Sequence, residues 1–169
     1  MDNSILIVID GFAQAQKAPQ GVIMPPLPKP MRGKYYVQMH TPAEVRKWQF
    51  FAKHIGIDQM KGRVPLTGAL EVSITIYLPL PKSMPRKNVP LALAGTLLPV
   101  TRPDCSNYCK AIEDSLNGVT WLDDAQIAVL HVRKKFSDKP RVEILVEPIE
   151  MKTAPVQDAA ATASLFPQS

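Results

Sequence analysis

The sequence predicts an α+β domain: a small mixed β-sheet with helices packed on one face, in the element order β-α-β-α-β-β. Three observations lead to it. ALEVSITIYL (69–78) alternates strictly between apolar and polar residues, the mark of a half-buried strand. Two other stretches carry apolar residues at helical spacing. No glycine-rich phosphate loop follows a strand, which argues against a doubly wound dinucleotide fold. Helices and strands in this order suit a layered α+β architecture.

The elements follow in order. SILIVI (4–9) is a β-rich run and the first strand. Residues 14–36 are rich in proline and cations, hold no lasting period and read as a long loop, a feature often tied to function. In TPAEVRKWQFFAKHIG (41–56), Thr41 is an N-cap, Pro42 takes the first helical position and Glu44 completes a capping box. Val45, Trp48, Phe51, Ala52 and Ile55 recur on one stripe, and Gly56 ends the helix. Arg46, Lys47, Lys53 and His54 lie mainly off that stripe, as solvated charges of a helix docked on a sheet.

In the strand 69–78, Leu70, Val72, Ile74, Ile76 and Leu78 face one way, and Glu71, Ser73, Thr75 and Tyr77 the other. Prolines break residues 79–101, leaving a helical turn at Leu91 to Ala94. A second helix starts at Ser106 or Asn107 and ends at Asn117. Tyr108, Ile112, Ser115 and Leu116 mark its inner side, and Gly118 suits the position just past its end. Residues 125–136 and 141–149 are strands, and SDKP (137–140) between them predicts an antiparallel hairpin. Beyond Glu150 large apolar residues are missing until Leu165 and Phe166, so 151–169 is expected to be a disordered tail.

Lysine and arginine outnumber acids 20 to 15, a formal charge of +5, which favours an anionic partner such as nucleic acid. The two cysteines, Cys105 and Cys109, are four apart and lack zinc-site spacing, so they read as reduced, partly buried thiols. No apolar run reaches the ~20 residues that span a bilayer, and the first residues lack a basic leader and cleavage site. The expectation is a cytoplasmic protein with no membrane association.

Against this basic background, acids gather in RPDCSNYCKAIEDSLNGVTWLDDAQI (102–127). Asp104 precedes the second helix, and Asp123 and Asp124 precede the next strand. Were they to meet, like charges held close would need a cation. Carboxylate oxygens suit Mg²⁺ or Mn²⁺, and such an ion can activate water against a phosphate. Lys110 either contacts a phosphate or pairs with Asp114 one helical turn on, worth only ~0.3–0.5 kcal/mol. Asp123 and Asp124 can equally be turn formers.

This same stretch closely resembles the signature of the RusA family of Holliday-junction resolvases. There a basic residue leads into Asp-x-Asp-Asn, then a lysine, a helix ending in Leu-Asn/Thr-Gly, and a Trp-x-Asp-Asp-x-Gln-Ile/Val turn. The matching residues, without gaps, are Arg102, Asp104, Asn107, Lys110, Asp114, Leu116, Asn117, Gly118, Trp121, Asp123, Asp124, Gln126 and Ile127. The strand RVEILV (141–146) and, less tightly, YVQMHTPAEVRKW (36–48) also look like the family. The resemblance covers roughly 5–150, giving a RusA-like nuclease domain at 1–150.

The resemblance implies a homodimer that binds branched DNA (four-way junctions) and nicks it symmetrically with Mg²⁺ (Mn²⁺ possible), in recombination and repair, in a bacterial or phage-type protein. It implies catalytic roles for Asp104, Lys110 and Asp124, with Asp104 and Asp124 as metal ligands and Asp123 and Ser106 beside them. Arg102, Lys110, Lys17, Lys29, Arg32, Lys34, Lys82, Arg86 and Lys87 are candidate DNA contacts, all but Lys110 by location only. One departure stands out: Ser106 takes the place of the family's second motif aspartate. Asp123, Asp114 or water then fills the gap, or metal affinity falls, or the protein binds junctions without cutting them. Serine there would also serve as a helix N-cap.

Overall fold

A computed structural model describes residues 3–18, 20–24 and 36–150. Four strands form one mixed sheet in the order β1-β6-β4-β5. They are β1 (Ile5–Asp10), β4 (Leu70–Pro79), β5 (Ile127–Ser137) and β6 (Arg141–Pro148). Helices α1 (Ala43–Met60) and α3 (Cys105–Leu116) pack on the face whose residues alternate into the core. Ile5, Ile7 and Ile9 of β1, Leu70, Val72, Ile74 and Ile76 of β4, and Val142, Ile144 and Val146 of β6 are buried there. Trp48, Ala52 and Met60 of α1 and Tyr108, Ile112 and Leu116 of α3 close the layer. The strict alternation of β4 is realised residue for residue, and the α+β expectation holds.

Several expectations need correction. The stretch read as a long loop, 14–36, contains the short strand β2 (Gln20–Met24), which pairs antiparallel with β3 (Tyr36–His40) starting at its far end. The prolines and cations of that stretch hide the short β-capable run 20–24. The expected disordered tail, 151–169, lies outside the described residues.

The capping box does not form. Pro42 is the N-cap of α1 without a side-chain hydrogen bond, and Glu44 instead pairs with Lys17 at 2.8 Å. Gly56 does not end the helix, which runs on to Met60 and stops at Lys61, in the left-handed region (φ 51). A Cβ on Gly56 would stand 2.7 Å from Leu116 Cδ2 and 3.3 Å from Val119 Cγ1. This glycine is therefore a close-approach point between α1 and α3, not a terminator. Phe51, assigned to the inner stripe, is 47% exposed; Gly56 and Met60 complete the buried face instead.

β5 and β6 do not form a hairpin. β4 lies between them, parallel to β5 and antiparallel to β6. Residues 138–140 carry the chain past the end of β4, where Pro79 is level with Ser137 and Tyr77 with Arg141. The most apolar alternating strand takes the centre of the sheet, and a two-strand hairpin would leave it at an edge.

Parallel β4 and β5 need a crossover, and the segment 80–126 supplies it. It holds a turn of 3-10 helix at Arg86–Asn88, the short helix α2 (Val89–Leu93) and then α3. The expected helical turn at Leu91 is thus present, and α2 lies beside β5. Because the crossover returns the chain, α3 runs opposite to β4 and β5. No helix among the described residues is long and apolar enough to cross a membrane.

Candidate active site

The basic-to-acidic stretch 102–127 wraps from one end of the sheet to the other. At its start Asp104, not Ser106, is the N-cap of α3, with extended backbone (φ −78, ψ 166). Its Oδ1 accepts a hydrogen bond from Asn107 Nδ2. Arg102, Pro103, Asp104 and Asn107 line a cleft of about 300 Å³, and Arg102, Asp104, Ser106 and Asn107 are all exposed. A carboxylate at a helix N-terminus is favoured by the dipole of the helix. Asp104 and Arg102 therefore line the same opening.

Lys134, on β5, fixes this corner. Its Nζ donates to the carbonyls of Thr101 and Pro103, each at 2.8 Å. No sequence argument singled out Lys134, yet a signal was there. Leu130, Val132 and Lys134 share one side of β5, level with Val72, Ile74 and Ile76 of β4, so Lys134 is a cation on the helix-facing side. The early segment joins at the same place, where the Gln16 N–H donates to the Asn107 carbonyl at 2.7 Å.

At the other end of α3, Gly118 (φ 72) lets the chain turn, and the fully buried Trp121 bridges to Asn117 and Leu66. A second device follows. Asp123 Oδ1 accepts from the Ala125 N–H at 2.9 Å, while Gln126 Oε1 accepts from the N–H groups of Leu122 (2.9 Å) and Asp123 (3.0 Å). This capping box was not foreseen. Gln126 Nε2 then donates to the carbonyls of Leu66 and Gly68, pinning the turn to the start of β4. Asp123 is thereby occupied in holding the turn. Asp124, next to it, is exposed and accepts no hydrogen bond among the described residues.

Lys110 projects from α3 to solvent and forms no ion pair among the described residues. The alternative pairing with Asp114 does not occur; Asp114 Oδ2 accepts from Gln49 Nε2 at 3.3 Å. Lys82, Arg86 and Lys87 are exposed and follow the end of β4, the end at which Asp104 lies. Lys17 is engaged with Glu44 in an exposed pair. Lys29, Arg32 and Lys34 fall outside the described residues. Both cysteines are free thiols; Cys109 is buried and its pKa is pushed up to about 12, chiefly by burial and then by Glu113.

Within one chain, Asp104 and Asp124 stand at opposite ends of this construction. The 12 residues of α3 lie between Asp104 and the turn at Asn117, about 18 Å along a helix axis. Independently, Lys134, beside Asp104, stands seven residues along β5 from Ile127, beside Asp124, about 23 Å along a strand. Two short aspartate side chains cannot bridge such a gap to one ion. Consistently, among the described residues no group of three or more His, Cys, Asp or Glu side chains is placed to hold a metal. One chain alone does not fit a shared divalent cation between these acids.

The site thus rests on a mixed sheet backed by α1 and α3, with Asp104 capping α3 at a cleft that Arg102 also lines. The family model for Endodeoxyribonuclease RusA matches residues 24–147, so the chain belongs to the RusA family of Holliday-junction resolvases. It is also similar to the uncharacterized protein YqaN of Bacillus subtilis (strain 168), 32% identical over 149 residues, 86% of this chain and 96% of that protein.

Proposed function

We propose that the protein is a structure-selective endodeoxyribonuclease that resolves four-way DNA junctions by paired symmetric nicks inside the cell, in recombination and repair. The observation that carries this reading is the ungapped signature from Arg102 to Ile127, folded so that Asp104 and Asp124 keep exposed carboxylates while Asp123 and Gln126 hold the turn. In phosphodiester hydrolysis water attacks phosphorus and one phosphorus–oxygen bond breaks, so negative charge grows on the phosphate oxygens and the leaving oxygen. Arg102 at the cleft and the exposed Lys110 on α3 are the groups to grip that phosphate. Lys82, Arg86 and Lys87 extend positive charge from the same end for the flanking backbone. Mg²⁺ or Mn²⁺ would activate the attacking water when bound; within a single chain Asp104 and Asp124 do not converge on such an ion.

The test is a synthetic four-way junction incubated with Mg²⁺ or Mn²⁺, beside a linear duplex of the same sequence. Symmetric nicks in the junction, lost in Asp124→Asn, are expected. A junction left intact across a range of both ions would remove this reading.

Ser106 favours a second reading. It is exposed two residues after Asp104, where the family pattern has a carboxylate. On that reading the protein binds junctions with steep salt dependence but does not cut them, and Ser106→Asp creates cleavage. Nicking by the unaltered chain would reject it.

A further inference from the structure

We propose that the outer face of α1 is a second DNA-binding site, at which Phe50 stacks on an unpaired base near the branch point while Arg46 and Lys47 hold the flanking phosphates. This deepens the junction-nuclease reading and rests on its branched substrate, not on the cutting step.

Sequence periodicity puts the cations of α1 off its buried stripe; the structure adds apolar side chains among them. Phe50 is 67% exposed, and Phe51 and Ile57 are each about half exposed. An aromatic ring left in water contributes little to the fold. Along α1, Arg46 and Lys47 stand one turn before Phe50, and Lys53 and His54 one turn after it. The His54 ring meets that of Phe50 edge-on, with centroids 4.3 Å apart. Ala43, Arg46, Lys47 and Phe50 line a cleft of about 340 Å³.

Charge decides the occupant. From Arg46 to Ile57 the helix carries Arg46, Lys47 and Lys53 and no acid. None of these three cations is in a salt bridge among the described residues. Glu44, the acid just before them, is taken by Lys17. An apolar partner would cover the cations without supplying counter-charge, which is costly. A polyanion that also offers flat π-faces satisfies both the cations and the ring, and nucleic acid with unpaired bases has that chemistry.

Position joins this face to the Asp104 corner. Gln49 Nε2 donates to Asp114 Oδ2 at 3.3 Å, and farther along Gly56 lies against Leu116 and Val119. α1 and α3 therefore run side by side in the same direction. Arg46 is one turn before Gln49 and Lys110 one turn before Asp114, so these two exposed cations stand at the same level of the surface. Lys110 in turn is about 9 Å along the helix axis from Asp104. A DNA strand can thus pass from Arg102 and Lys110 onto α1 over positive surface throughout. A linear duplex keeps its bases stacked inside and has no free face for Phe50. A branch point interrupts the stack and supplies one, which makes Phe50 a selector for branched over linear DNA.

The test titrates the full chain with a labelled four-way junction and with a linear duplex of the same sequence, without divalent metal. Phe50→Ala should weaken junction binding about tenfold, the loss of one stacked base, and leave duplex binding within about twofold. Phe50→Trp should keep the junction preference. Arg46→Gln combined with Lys47→Gln should lower the slope of log affinity against log salt by about 1.4 to 1.8, the signature of two lost phosphate contacts. Leu6→Ala, exposed on the sheet face turned away from the helices, should alter neither affinity. Independently of any variant, 5-iodouracil at the branch point should cross-link under ultraviolet light to the α1 peptide that holds Phe50. Unchanged junction binding by Phe50→Ala, an equal loss on junction and duplex, or no cross-link to α1 each overturns the proposal, as does an unaltered protein that does not bind the junction. Unchanged binding by Phe50→Ala would leave the face to an acidic peptide. Junction binding without nicking removes the nuclease reading alone, whereas nicking with binding indifferent to Phe50 removes this proposal alone.

Discussion

Lys134 reaches from β5 to the Pro103 carbonyl at 2.8 Å, and so ties the residue before Asp104 to the sheet. It makes the same bond to Thr101. Lys134→Met keeps the apolar stem but removes both charge-assisted bonds. Partial exposure moderates the cost to about 1 kcal/mol. The expected melting shift is a few degrees at most, near 3 °C by the usual scaling, roughly. Junction nicking should fall more sharply, about tenfold or beyond, because a small displacement of a reacting group is expensive. Lys134→Arg should restore part of it. Unchanged nicking by Lys134→Met would mean that the Asp104 corner is held by other contacts.

Gln126 makes four hydrogen bonds with one amide: two accepted from Leu122 and Asp123, two donated to Leu66 and Gly68. Gln126→Leu leaves both N–H groups and both carbonyls to find water. The loss should be about 2 kcal/mol, read as a lower urea midpoint with an unchanged slope. Gln126→Glu keeps the acceptor but turns a carboxylate toward two carbonyls, and should be at least as unstable. A Gln126→Leu protein as stable as the parent would show that Trp121 and Asp123 alone secure the turn.

Much of this architecture was legible because its cause is local. The alternation of 69–78, the inner side of α3 and the φ of Gly118 are dictated by neighbouring residues in the chain. What stayed hidden depends on partners far away in sequence. The place of β4 between β5 and β6 is a tertiary choice that the SDKP turn does not encode. Gly56 reads as a stop signal until Leu116 is placed against it. Glu44 fits a capping box until Lys17 takes it. At the site, it was the resemblance to the family signature that pointed to Asp104 and Asp124. Only the direction of α3 and β5 shows that they lie at opposite ends of one chain.

Gly56→Ala sets a gain in helix propensity of about 1 kcal/mol against a collision. The new methyl carbon would stand 2.7 Å from Leu116 Cδ2 and 3.3 Å from Val119 Cγ1, and Leu116 is fully buried. Overpacking of this kind costs about 1–3 kcal/mol, so a net destabilisation of up to ~2 kcal/mol is expected. Gly56→Val should be worse still. Gly62→Ala meets nothing within 4 Å but has φ +78, so its smaller cost is backbone strain alone. Thermal unfolding should rank Gly56→Val below Gly56→Ala, and a stabilised Gly56→Ala would mean that Leu116 repacks freely.

Cys109 gives a pH-dependent signature. Burial, and then Glu113, hold its thiol protonated up to about pH 12 in the folded chain, whereas an unfolded thiol ionises near ~8.5. The folded pKa is the higher one, so this contribution is fully present below the unfolded value and is lost as pH rises toward the folded one. Above about pH 8.5 the unfolded chain sheds a proton that the folded chain keeps, which favours unfolding by at most ~1.4 kcal/mol per pH unit. Cys109→Ala removes that proton from both states. At pH 7 the alanine variant should be less stable than the parent by about 1 kcal/mol, from lost packing. Between pH 9 and 10.5, to the order of that slope, the gap should narrow or invert, since only the parent carries the penalty. Tyr108, whose pKa burial also raises, is common to both proteins and cancels in the difference. Urea midpoints measured for the pair across this range provide the reading. A gap that stays constant would mean that the thiol ionises as readily in the folded chain as in the unfolded one.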